Sequence, residues 1–190
     1  MNNLKNWKEF TLSDLFSIKA TSSGIDRSKL APKIGNIPYI TRMDKNNGWD
    51  GFVGKQHKGI MDKGNIISIG LDTQTAFYQP VDFFTGQNIQ VLSNKHLNRY
   101  TAMFINPLLK DLMTKFNWGG NGATLTRLKR SKIILPTDAL ENPDWVGMEE
   151  YMKNIEQKLL RRYKNYLGNL ESRRNVERER VPNLYGKNSE

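Results

Sequence analysis

The 190-residue sequence has no cysteine and only two histidines. Without cysteine there are no disulfides and no thiolate metal sites, which fits a reducing compartment and an expected cytoplasmic location. His57 and His96 lie in neither an HxxE nor an HExxH spacing, so metal-assisted hydrolysis has no visible ligand set. No GxSxG is present, and no phosphate-binding loop: the glycines of Trp118-Gly119-Gly120-Asn121-Gly122 have the wrong spacing, and no Lys-Ser/Thr follows. Long apolar runs are also missing. The longest, Ala102–Ile105, falls far short of the ~20 residues of a membrane span, and MNNLKNWKEF has no apolar region of a signal peptide. The expectation is a protein without a membrane partner, without a metal, and without a catalytic centre of its own.

What is present is positive charge. The formal net charge is +10. Residues 1–140 hold 19 Lys+Arg against 10 Asp+Glu, while residues 141–190 are nearly balanced at 10 against 9. The excess therefore belongs to the first part of the chain, where it points to a polyanionic partner. Ordinary solubilising lysine is the alternative.

The organising stretch runs from Gly64 to Leu92. Ile67, Ile69 and Leu71 alternate with Ile66, Ser68 and Gly70, the period of a strand. Thr75–Tyr78 is β-branched and aromatic, and Pro80 confines it to an edge or a strand end. Phe83-Phe84-Thr85-Gly86 turns the chain into a third strand, Gln87–Leu92, and Asp72-Thr73-Gln74 makes a polar crossing at one end. What precedes this sheet reads as loops laid against it, with short strands at Trp7–Leu12 and Ile37–Thr41 and a helical turn capped by Ser13-Asp14. Leu97–Phe116 is helical by spacing, with Leu97, Tyr100, Phe104, Leu108, Leu112 and Phe116 on one stripe and a break at Asn106-Pro107. Ile133-Ile134-Leu135-Pro136 returns as a strand.

Several stretches suit nucleic-acid contact. The polar segment Lys19–Asn36, which includes Arg27, is long for an idle loop. Arg42, Lys45, Asn46 and Asn47 carry the groups that fit phosphates and base edges, although Asn46-Asn47-Gly48 is equally good turn chemistry. Gln74 lies in the polar crossing. Asn121 lies in the glycine-rich turn, followed by the hydroxyl-rich and cationic run that contains Arg127, Arg130 and Lys132. Asp72 and Asp82 read as turn residues. Asn36-Ile37-Pro38-Tyr39 departs by one residue from the Asn-Pro-Pro-Tyr of adenine methyltransferases, and no glycine-rich cofactor loop accompanies it.

Asn142-Pro143-Asp144 opens one long helix. Trp145, Met148, Met152, Ile155, Leu159, Tyr163, Tyr166 and Leu170 form an a/d-type seam ~39 Å long at 1.5 Å per residue. The seam is longer than one small domain needs to bury, so part of it is expected to meet a second helix. The dimerisation candidates are Met148, Met152, Ile155, Leu159, Tyr166 and Leu170. The charged segment from Arg173 to Glu190 is expected to fray.

Six pieces, in this order and spacing, carry a family resemblance: IPYITRMDKNNGW, GNIISIGLDTQTAFYQP, FFTGQNIQVL, LNRYTAMFINPLL, KIILP and PDWVGMEEYMKNIE. From Trp7 to about Leu170 the chain resembles the specificity subunit of type I restriction–modification systems, and more closely the BcgI-like, type IIB variant. The resemblance implies a target-recognition domain that reads one half of a split site on double-stranded DNA, followed by a conserved helix that packs on a second such helix. It implies a DNA adenine methyltransferase (M) subunit that binds S-adenosylmethionine, a nuclease (R) subunit or domain, and no cofactor in this chain. Family subunits carry two such domain–helix units. Here there is one, the expectation for a half-size or truncated subunit that pairs as a homodimer.

The resulting expectation is an α+β protein: a mixed, curved β-sheet target-recognition domain over residues 1–140, a coiled-coil-type helix over 141–172, and a charged tail over 173–190. The competing readings are a small DNA methyltransferase or nuclease acting alone, and a nucleic-acid-binding adaptor without sequence preference.

Overall fold

The computed structural model describes residues 6–32, 34–57, 60–116 and 124–180. The fold is α+β. In chain order its elements begin with β1 (Trp7–Thr11), α1 (Leu12–Leu15), β2 (Ser17–Ala20), β3 (Ile37–Ile40) and β4 (Trp49–Val53). They continue with β5 (Ile66–Gly70), β6 (Thr75–Gln79), β7 (Phe84–Thr85) and β8 (Ile89–Ser93). The last four are α2 (Arg99–Met113), α3 (Leu125–Arg130), β9 (Lys132–Pro136) and α4 (Trp145–Arg180).

Alternation in the Gly64–Leu92 stretch builds the central sheet as expected, with β5 between β6 and β8, both antiparallel to it. A fourth strand, β2, joins on the far side of β8, for an order of β2-β8-β5-β6. The sequence expectation put Lys19 and Ala20 in a loop. They pair instead with Val91 and Gln90, and the strand was hidden because Ile18 is its one buried side chain. A three-stranded sheet, β4-β3-β7, includes a parallel β3–β7 pair, and β1 with β9 forms a separate antiparallel ribbon.

The strand period places the core. Ile67, Ile69 and Leu92 enter a large cluster with Ile105, Leu109 and Met113 of α2, Leu12 and Leu15 of α1, and Leu128 of α3. Their sequence neighbours Ile66 and Val91 enter a second cluster with Ile40, Phe83 and Trp49. One face of the central sheet is thus covered by helices, the other by β3 and its surroundings. Buried on both faces, β5 reads as a continuous apolar run.

Helix α2 differs from expectation in two respects. It is one helix through Pro107 rather than two. Its start is set by Asn98, whose side chain accepts from the Tyr100 and Thr101 amides in a capping box, and Pro107 forgoes a bond on the exposed side where Met103 also lies. The buried residues are Thr101, Ala102, Ile105, Leu109, Leu112 and Met113; of the expected stripe Leu97, Leu112 and Phe116 are buried, while Tyr100, Phe104 and Leu108 are half-buried beside Thr101, Ile105 and Leu109. A one-residue step turns the helix face by about 100°, and two interleaved apolar rows made either reading possible. At α1 the expected Ser13-Asp14 cap is absent: the helix begins at Leu12, after Thr11.

Asp144 caps α4 by accepting from the Gly147 amide at 2.8 Å. Trp145 and Met148 pack with the large core cluster, so the first compact unit continues past residue 140 and closes at Met152, and Met148, expected at a dimer seam, is instead fully buried in this core. The second unit begins at Lys153 and is helical to Arg180, a backbone length of roughly 54 Å for the whole of α4. Residues 173–180, in the segment expected to fray, are helical. Arg and Glu are strong helix formers, and no proline follows until Pro182. Among the described residues no helix is long and apolar enough to cross a membrane.

Leu109 is fully buried between α2 and the sheet. Leu109→Ala is expected to lower unfolding stability by about 2–5 kcal/mol, measured by urea titration, with the far-UV spectrum of the folded state retained.

Candidate nucleic-acid interface

The site is built where β6 forms the sheet edge. An edge strand presents unpaired backbone groups that need covering. Here the Asn46–Gly48 turn covers them. Asn46 and Asn47 both adopt left-handed conformations, at φ 51° and 58°, which Asn tolerates better than most residues. The Asn47 amide donates to the Tyr78 carbonyl at 2.8 Å. Gln79, 1% exposed, donates in turn to the Asn47 carbonyl at 3.0 Å and to Ser68 Oγ at 2.9 Å, and accepts from Trp49 Nε1 at 2.8 Å. Gln79 thereby ties the turn, β4 and β5 to the edge strand. Lys45 and Asn46 are exposed on the turn so fixed.

β3 ends beside this turn, where the Thr41 amide donates to the Gly48 carbonyl. The connections leaving β3, β5 and β7 meet through Asp72, which accepts from Arg42 and, at 3.1 Å, from Asn88 Nδ2. The Arg42 guanidinium and then the Asn88 amide hold the Asp72 carboxyl below the usual carboxylate range. Gln74, at φ 56° in the β5–β6 turn, donates to the Phe116 carbonyl beyond α2. Lys110 of α2 lies over the Phe77 ring of β6, 5.1 Å from its centroid. Arg42 and Gln74 therefore lie at the Gly70–Thr75 end of the central sheet, while Asn47, with Lys45 and Asn46 exposed beside it, docks along β6 at Tyr78 and Gln79.

The other candidates lie elsewhere. Arg27 sits in a 3-10 turn of the long loop after β2 and pairs with Asp50 of β4, a contact that raises its pKa. That loop is pinned by two buried groups. Asp62 accepts from the Ser22 amide, the Ser23 amide and Ser23 Oγ, and Gln56 accepts from the Ala31 amide. Arg127 and Arg130 are exposed on α3, which packs beside β2. Lys132 begins β9 and pairs with Glu9 at 2.6 Å. β2, beside which α3 packs, and β6 are opposite edges of the sheet. A cleft of about 160 Å³ holds Lys132 together with Lys115 from the end of α2. Asn121 and its glycine-rich turn lie outside the described residues.

Sequence reading missed Gln79, Asn88 and the contact role of Asp72. A polar residue ending an otherwise apolar strand before Pro80 was the available signal for Gln79. For Asn88 it was the Gly86-Gln87-Asn88 turn, where Asn88 takes φ 61°. Among the described residues, no group of three or more acidic, His or Cys side chains could hold a metal ion.

Comparison with known proteins gives this surface its context. Residues 4–164 match the model of the type I restriction modification DNA specificity domain. The chain belongs to that family. Over 157 residues it is 34% identical to the specificity subunit S.BcgI of a type II restriction enzyme from Heyndrickxia coagulans, covering 82% of this chain and 45% of that one. Solved structures share the fold at low identity. The S subunit of a type I restriction-modification system from M. genitalium aligns with a TM-score of 0.56 and 19% identity, over 90% of this chain and 44% of that one. The HsdS subunit from Thermoanaerobacter tengcongensis aligns at 0.52 and 13%, over 84% and 40%. The chain spans about half the length of the relatives it matches or less.

Because Gln79 satisfies three neighbours inside the fold, Gln79→Leu leaves the Trp49 N–H, the Ser68 hydroxyl and the Asn47 carbonyl without their partner. A loss of about 1–3 kcal/mol in chemical unfolding is expected. Faster amide exchange at residues 45–48 than at β5 should accompany it.

Proposed function

We propose that this chain is the sequence-specific DNA-recognition subunit of a restriction–modification system and performs no chemistry itself. One observation supports the reading: in a member of a DNA specificity family, loops from two sheets carry Arg42, Lys45, Asn46, Asn47 and Gln74 along β6 and its turn in a positively charged domain. The base-contacting role falls to that group. Arg127 and Arg130 of α3, which packs beside β2, and Lys132 of β9 track phosphates, with Arg27 supporting the loop that flanks β4. The partners are double-stranded DNA, a DNA adenine methyltransferase subunit that binds S-adenosylmethionine, and a nuclease subunit or domain. No cofactor belongs to this chain.

Homodimerisation completes the proposal. Past Lys153 the helix exposes Leu159, Tyr163 and Tyr166, with Ile155 and Leu170 half-buried, at the spacing of a pairing seam. Two chains paired through α4 read one sequence twice in inverted orientation, so the target is a gapped palindrome.

The pure chain is expected to bind duplex DNA with a steep salt dependence, while transferring no label from S-adenosylmethionine and cutting no DNA with magnesium. Methyl transfer or cleavage by the chain alone would favour the stand-alone enzyme. Arg127→Ala should weaken all sequences alike and reduce the salt slope by about one unit, whereas Arg42→Ala should cost about 1–3 kcal/mol at one position of the site. Fluorescence anisotropy on matched and mismatched duplexes separates the two. Ile155→Asp should halve the mass seen by light scattering, and an unchanged mass would rule out pairing through this seam.

A further inference from the structure

A carboxylate beside a DNA-reading surface needs a reason to be there. Asp72 stands at the meeting point of three chain connections, with its side chain 27% exposed, and repels any phosphate brought near. In return it accepts from the Arg42 guanidinium, which follows β3, and from the Asn88 amide, which precedes β8. The Arg42 side chain is 48% exposed, so about half of it is in solvent, and its Nη1 end is held by Asp72 Oδ2. Such a fork, fixed on one side, has its remaining N–H groups set in one direction.

Nearby backbone geometry fixes the carboxylate as well. The β5–β6 turn that carries Asp72 is held by Gln74 on the Phe116 carbonyl, and Asn88 is held in a left-handed turn. A Cβ placed on Gly70 would come within 2.6 Å of the Thr73 and Thr75 hydroxyls, so this turn is closed tightly on itself. Asp72 is thus a fixed acceptor, held between Asn88 and Arg42.

We propose that Asp72 and Asn88 are positioning residues for base selection: Asp72 holds Arg42 in the orientation that accepts a guanine edge in the major groove, and Asn88 fixes Asp72. A free arginine at this place would bind any phosphate within reach. A tethered one discriminates among bases, because its fixed donors meet two acceptors in one plane at guanine O6 and N7 and at no other base edge in the major groove. The low carboxyl pKa agrees, since Asp72 stays ionised throughout the neutral range and the tether is always charged. The inference rests on the reading of the chain as a sequence-specific DNA-recognition subunit.

The test has two stages. Bound duplexes are first selected from a random pool with the full-length wild-type chain, which should yield a motif containing a G·C pair. Anisotropy titrations then compare that motif with duplexes carrying each substitution at that pair, using wild type, Asp72→Asn, Asn88→Ala and Arg42→Lys. Asp72→Asn keeps the shape and removes the charge. It should lower discrimination at one G·C pair by about tenfold or more while leaving affinity for random duplex equal or higher, a combination that simple loss of structure does not produce. Asn88→Ala should shift the same position in the same direction by less, and Arg42→Lys should abolish selectivity there. If Asp72→Asn weakens all duplexes alike, or leaves the motif untouched in a chain that still unfolds cooperatively, the positioning role is overturned. If wild type selects no motif at all, the recognition function fails first, and this inference with it.

Discussion

The edge of the central sheet is the constraint on which the rest of the site depends. β6 must have its outer backbone groups covered, and the Asn46–Gly48 turn does so by giving the Asn47 amide to the Tyr78 carbonyl. Gln79 locks that arrangement from inside, joining Asn47, Trp49 and Ser68 around one buried carboxamide. A partly satisfied buried network would be worse than an apolar one, and this one is satisfied at both ends of the amide. The consequence is geometric. Lys45 and Asn46 are presented on a fixed turn, and Arg42 meets the β5–β6 and β7–β8 connections at Asp72. A rigid scaffold with polar groups on its connections is the arrangement that recognition surfaces use.

That arrangement also resolves a tension in the residues themselves. Asn46-Asn47-Gly48 is good turn chemistry and good base-reading chemistry, and the structure divides the two between neighbours. Asn47 spends its amide on the fold, while Asn46 is exposed. Arg42 and Arg27 are likewise engaged with carboxylates of this chain, Asp72 and Asp50. The Arg27–Asp50 pair, exposed on its arginine side, gains little stability, so a phosphate can compete for Arg27, whereas Arg42 keeps N–H groups beyond the one that Asp72 holds.

Much of the architecture was legible in the sequence because it rests on period and punctuation. Alternation at Ile66–Leu71, the edge position implied by Pro80, the β9 strand at Ile133–Pro136 and the start of α4 after Asp144 are all local signals, and each has a local cause. What escaped was set by distant contacts. Ser17–Ala20 forms a strand because β8 offers an edge, not because its own residues alternate. The middle of the α2 stripe was displaced by one residue since Phe104 and Leu108 on one row compete with Ile105 and Leu109 on the next, and only packing on the sheet chooses between them. In the site, the cationic residues could be named in advance, but their division between the two sheet edges could not. Gln79 and Asn88 act through partners 11 to 32 residues away in the chain, which no window of sequence displays.

The central claim is that the end of the molecule where β3, β5 and β7 terminate meets the DNA. Amide hydrogen exchange tests it most directly, with the full-length chain free, bound to its selected duplex and bound to a scrambled duplex of equal length. Protection specific to the selected duplex is predicted at residues 41–48, 71–74 and 86–88, over a weaker background common to both duplexes around residues 125–132. Specific protection confined to the β1–β9 ribbon, with those three connections unchanged, would contradict the account.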